Sequence, residues 1–187
     1  ASPIRQLLST VRKEAFDNHT YSHTTMGFFE DIEKMPDQMA YGQTFFERFY
    51  KPEYVSIIIT GDVDPEQTLE LVKKYWGNWQ KGDYQSDVPA EPKQTAPRYK
   101  HHHNEGLPGH WLLVSYKGTA WEPKKKDRAA LDLISELYFS NNSDLYQDLV
   151  VNRQIASQMF TYNPGTKDPG LLHVFVKVDK ADDLAVV

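Results

Sequence analysis

Residues 83–97, DYQSDVPAEPKQTAP, hold three prolines and almost no apolar side chains. A stretch so polar cannot pack as a core element, and its prolines lack the backbone N–H that a central strand needs. It reads as a linker, so any core must form within residues 1–82, within 98–187, or separately in each.

The first block alternates helix and loop. Pro3 suits a first helical turn, and Ile4, Leu7, Leu8 and Val11 follow at helical spacing, so a helix is expected to about Ala15. Residues 17–27 are polar, rich in Thr and closed by Gly27, the pattern of a loop. A helical turn is expected over 30–34 and a longer helix over 36–50, with Met39, Phe46, Phe49 and Tyr50 as its core stripe. Pro52 ends that helix. Residues 54–60, centred on Ile57, Ile58 and Ile59, have the composition of a strand covered on both faces. Asp64 as N-cap, Pro65 in the first turn and Gln67 three residues after the cap then predict a helix with Leu69, Val72 and Trp76 inward, stopped by Gly77.

The second block predicts strands at 98–103 and 111–116 with a turn over 106–109 between them, and a helix at 124–139 with Ala130, Ile134 and Leu137 on its apolar face. Ser143 should cap a further helix over 144–152. Two strands follow, 155–162 and 171–178, the second placing Leu172, Val174, Val176 and Val178 on one side. Residues 179–187 read as the opening of another helix.

Several chemistries are excluded or weakened by composition. A net charge of -5 gives no basic face for phosphates, and the run Lys124, Lys125, Lys126 leads straight into Asp127, as a solvated helix start would. With no cysteine there is no disulfide framework, thiolate nucleophile or Cys-ligated zinc. No apolar run approaches the roughly 18 residues of a membrane span, and no signal peptide is evident. The lack of cysteine leans toward a periplasmic or secreted bacterial setting, with an organelle also compatible.

Histidines supply the candidate metal ligands. His19 and His23 have the spacing of an H-x-x-E-H site, but Ser22 stands where a carboxylate would take a proton from metal-bound water, and the segment reads as loop rather than helix. In an extended run His101 and His103 would share a face, yet no acidic residue within it could orient their rings. His110 and His173 are isolated, with a solvent-facing or hydrogen-bonded structural role as the expectation. Asp62 and Asp64 in GDVD could be imagined around a divalent cation, but capping accounts for Asp64. No Ser-His-Asp elbow, phosphate-binding glycine loop or pair of carboxylates in an apolar pattern is present.

What rises above these fragments is a series: His19, Tyr21, Gly27, Asp31, Ile32, Tyr50, Pro52, Gly61, Asp62, Val63, Trp76 and Gly77, in order and at their spacings. In it the chain resembles the insulinase and pitrilysin family of zinc metallopeptidases, which includes the mitochondrial processing peptidase, and residues 107–179 resemble that family's second subdomain. The resemblance implies an α+β fold of the mitochondrial processing peptidase-like (LuxS/metallohydrolase) type, a two-layer sandwich with a mainly antiparallel sheet and helices packed on one face. Residues 1–82 would be the rear of a zinc-bearing subdomain without its zinc motif, 83–97 the linker, and 98–187 a second subdomain truncated in its last helix. The family's H-x-x-E-H helix and third ligand, a Glu, would lie upstream of Ala1. No catalytic or metal-ligating residue is therefore expected here, and zinc is expected only in a longer parent. Partners would be a peptide held as an extended strand and a second homologous half, with neither nucleic acid nor a membrane span. That second half would carry an Arg and a Tyr seven apart; the corresponding positions here are Val150 and Ser157, which places this chain in the zinc-bearing half. A non-catalytic assembly subunit of the same fold is the alternative.

Overall fold

A computed structural model describes residues 2–106 and 108–187. The fold is α+β, and its two compact units do not follow chain order: one joins the residues through Asp17 to Pro92–Val187, the other is Asn18–Glu91.

The first unit is organised by an antiparallel sheet of β1 (His110–Lys117), β2 (Gln158–Tyr162) and β3 (Leu171–Val178), in the order β1-β3-β2. β3 is paired along both edges, from His110 opposite Val178 to Lys117 opposite Leu171, and from Gln158 opposite Lys177 to Tyr162 opposite His173. Its side chains are buried on both faces, Lys177 alone being partly exposed. Of the expected inward set Leu172, Val174, Val176 and Val178, all buried, the three valines meet Met159, Leu149 and Ala156 in the core. That face is covered by α5 (Asp127–Phe139) and by α6 (Asp144–Tyr146), which runs on into a π-helical turn, Gln147–Asn152. Ser143 caps α6, its hydroxyl accepting from the Tyr146 N–H at 3.2 Å. Gln154, at φ 54°, takes the left-handed conformation that lets the chain leave this helix, a position where glycine usually sits.

The opposite face of the sheet carries a row of rings. Phe160 stacks on Phe175 at 4.7 Å between centroids, and Trp111 stands edge-on to both. Helix α1 (Pro3–Ala15) comes to this side: Leu7 and Val11 line a cavity of about 380 Å³ with Trp111 and Leu113. The Lys117 ammonium lies 3.6 Å from the centroid of the Phe16 ring.

Residues 98–104 form no ladder among the described residues, in place of the strand expected at 98–103. They run antiparallel along α1 instead: Arg98 grips Asp17 through two bonds of 2.9 and 2.6 Å, Lys100 meets Glu14 at 3.2 Å, His102 meets Thr10 at 3.2 Å, and Asn104 bonds Gln6. These are contacts between side chains, so α1 holds the segment by its side chains and not by the backbone ladder that a neighbouring strand would have made. The turn expected over 106–109 includes Leu107, which lies outside the described residues.

Two further expectations are corrected in this unit. On α5 the partly buried stripe is Arg128, Leu131, Ser135 and Phe139, whereas Ile134 and Leu137 are exposed. The helix turns toward α6 and β2 the stripe that contains Phe139, which packs on the core, and its second apolar stripe stays outside. Residues Ala181–Ala185 form a 3-10 helix rather than an α-helical start.

The Asn18–Glu91 unit contains α2 (Phe29–Glu33), α3 (Met39–Phe49) and α4 (Pro65–Trp76), with 3-10 turns at Thr20–Ser22, Met35–Asp37 and Pro52–Tyr54. Asp64 accepts from the Gln67 N–H at 2.8 Å, the expected cap of α4. Phe49 packs its ring against Phe45, Tyr54 and Tyr84, while the Arg48 guanidinium lies over Tyr84. No strand forms among the described residues of this unit. Of the 54–60 run expected to be a strand covered on both faces, Tyr54 closes the 3-10 turn and residues 55–60 join no ladder, and Met39, Phe46 and Tyr50 of the expected core stripe are exposed. Apolar pattern alone does not bury a side chain; a facing layer must be present, and this unit holds no sheet to supply one.

Because Phe175 sits in the ring stack of a fully buried strand, Phe175→Ala should lower the free energy of unfolding by about 3–5 kcal/mol. Asp64→Ala, which removes one exposed cap, should lower it by only about 1 kcal/mol. Urea unfolding followed by circular dichroism measures both.

Candidate functional site

His19 and His23 sit around the 3-10 turn Thr20–Ser22, so the helical geometry needed to place both imidazoles on one metal is absent. His19 is buried and caps this turn, its Nδ1 accepting from the Tyr21 N–H at 3.0 Å, and its ring meets Tyr21 edge-on at 4.2 Å. Glu91 Oε2 accepts from the N–H groups of both Asn18 and His19 at 3.0 Å. His23 Nδ1 lies 2.8 Å from the Thr24 carbonyl. These are loop-fixing contacts.

Of the histidine triplet, His101 and His103 are exposed and His102 is half-buried against α1. Thr10 donates its hydroxyl proton to the Gln6 carbonyl, so the bond to His102 is donated from Nδ1–H, which fixes the tautomer. Asp62 is exposed and Asp64 is used in capping. Among the described residues no group of three or more His, Cys, Asp or Glu side chains is placed to hold a metal ion, so these residues do not fit a resident zinc. No helix among them is long and apolar enough to cross a membrane.

One pair, a buried histidine and a half-buried serine, had no signal in local sequence. His173 is 1% exposed, and its Nδ1 shares a hydrogen bond of 2.7 Å with Ser115 Oγ. His173 takes the hydrogen-bonded role of the two expected for the isolated histidines, and His110 is exposed. Ser115 and His173 face each other because β1 pairs with β3 in that register. The imidazole also lies parallel to the Tyr162 ring at 6.1 Å and beside Phe175. Burial, with the Arg12 guanidinium adding to it, pushes the His173 pKa down to about 4. A serine beside a neutral histidine is the start of a nucleophilic pair, but this imidazole is sealed beneath aromatic rings with no room for a substrate. The pair joins β1 to β3.

At the two positions where the partner half of the family would carry Arg and Tyr, Val150 packs partly buried against the core and Ser157 is exposed, its hydroxyl 3.4 Å from both the Lys177 carbonyl and Asp179. Neither can clamp a peptide as a charged or phenolic group would.

Comparison with known proteins places the chain in a family. Residues 43–187 match the family described as Peptidase M16 inactive domain. Zinc protease PqqE of Helicobacter pylori is 31% identical over 172 residues, 89% of this chain and 38% of that protein. A solved structure, that of a protease from Helicobacter pylori, superposes with a TM-score of 0.79 at 27% identity over 98% of this chain and 46% of its own. The chain belongs to the peptidase M16 family, as the series from His19 to Gly77 had implied, and spans less than half the length of either relative.

The buried imidazole makes stability depend on pH. Its folded pKa lies below the ordinary value of about 6.5, so the unfolded chain binds the proton more readily. Its contribution is therefore complete above about pH 6.5 and lost as pH falls toward 4, by about 2 kcal/mol near pH 5. His173→Gln should flatten that slope in unfolding experiments run between about pH 7.5 and pH 4.5.

Proposed function

We propose that this chain is the non-catalytic portion of a zinc metalloendopeptidase that hydrolyses peptide bonds in peptides held as an extended strand. Residues 1–187 supply scaffold, part of the chamber wall and part of the interface with a second homologous half. The H-x-x-E-H motif and the third zinc ligand lie upstream of Ala1, outside this chain.

The match of residues 43–187 to a family described as an inactive domain carries this reading. Two observations support it: a relative 31% identical is named a zinc protease, while the described residues of this chain offer no metal-holding group. Val150 and Ser157, which lack the substrate-clamping chemistry, favour the zinc-bearing half over its partner. The description "inactive domain" also favours a second reading, a non-catalytic assembly subunit of the same fold.

Peptidase assays of the full-length protein, with and without a chelator, separate the two. The proposal expects cleavage of unstructured peptides that disappears on chelation and returns with zinc, and no cleavage by residues 1–187 alone. Activity indifferent to metal removal would overturn the mechanism, and a full-length protein inert with zinc would leave the assembly subunit as the answer. Calorimetry of residues 1–187 with zinc should show nothing tighter than about millimolar affinity, since no ligand set of the required kind is assembled among the described residues.

A further inference from the structure

Helix α1 is held to the ring face of the sheet at two places. In its body, Leu7 and Val11 meet Trp111 and Leu113 across the cavity that they line together. Just past its end, the buried Phe16 ring lies against the Lys117 ammonium. Alternation along β1 puts Ser115 on this same face, midway between Leu113 and Lys117, and its cross-strand partner is His173. The Ser115–His173 pair therefore sits beneath the span of α1 between Val11 and Phe16, the span that carries Arg12.

Four groups face the imidazole: Ser115 from β1, Tyr162 from β2, Phe175 from its own strand and the Arg12 guanidinium from α1. The charged one among them has the sign that an imidazolium would have. A second proton on His173 would thus place a cation among aromatic rings, nearly out of reach of water and near another cation. Water can relieve this only from the side of α1. Both edges of β3 are paired and its other face is packed in the core, whereas α1 is fastened by side chains, Arg98 with Asp17 and Lys100 with Glu14 among them.

We propose that α1 is an acid-released strap: protonation of His173 lifts α1 from the ring face and admits water to the imidazole, while β1, β2 and β3 stay paired. Neutralisation lets the helix seat again over the uncharged ring. A helix of 13 residues is marginal in water by itself, so a lifted α1 also loses its helical hydrogen bonds, which makes the release measurable. Nothing in this depends on the metallopeptidase reading.

Hydrogen exchange on the full-length protein tests it, with rates corrected for the intrinsic effect of pH on amide exchange. Once wet, His173 regains its ordinary pKa of about 6.5, against about 4 when sealed, so acidification from about pH 7.5 to about pH 5 favours the lifted state about 30-fold. The amides of residues 8–15 should lose protection by about that factor while those of residues 172–177 keep theirs. Unchanged protection over 8–15 would overturn the proposal, and loss in step with β3 would overturn it in favour of simple acid unfolding. His173→Gln should abolish the acid dependence; release that persists would assign it to the carboxylates of Asp17 and Glu14, against the proposal. Arg12→Gln, which leaves every residue of the sheet in place, removes the like charge and should move the release to lower pH. Release at an unchanged pH would overturn the strap.

Discussion

The two-sided pairing of β3 is the constraint on which the first unit depends. Every residue from Leu171 to Val178 has a cross-strand neighbour in β1, and five of them have a second neighbour in β2. Removing a strand this deep from water without satisfying its backbone would cost more than its side chains return, so both neighbours have to be present for it to be buried at all. Once they are, alternation does the rest. Val174, Val176 and Val178 go to α5 and α6, while His173 and Phe175 go to the ring-lined side near α1.

The Asn18–Glu91 unit shows the same physics with one component missing. Helix α4 has its Asp64 cap, α3 and α4 both carry apolar stripes at helical spacing, and the isoleucine run has the composition of a strand, but no ladder forms among the described residues. Without a sheet the stripes have nothing to face, and Met39, Phe46, Leu69 and Trp76 remain exposed. The helices form here while their apolar stripes stay exposed.

Family membership is compatible with there being no metal-holding group among the described residues. A fold can persist without its chemistry, because the chemistry resides in a few side chains and the fold in many. Of the histidines that look most like ligands in the sequence, His19 caps a turn, His23 lies against the Thr24 carbonyl, and His101 and His103 are exposed.

Much of this was legible from the residues. Pro3, Asp64 with Gln67, Ser143 and the alternation of 171–178 place α1, α4, α6 and β3, because capping and side-chain period act over a few residues and are written locally. The ordered series from His19 to Gly77 likewise revealed the family. Whether an apolar pattern is covered was not legible, since Ile57, Ile58 and Ile59 read like β3 yet stand bare, and α5 buries the stripe with Phe139 rather than the one with Ile134. Nor could Ser115 be matched to His173 across 58 residues, because strand register is settled by long-range pairing and by what else the chain can bury at the same time.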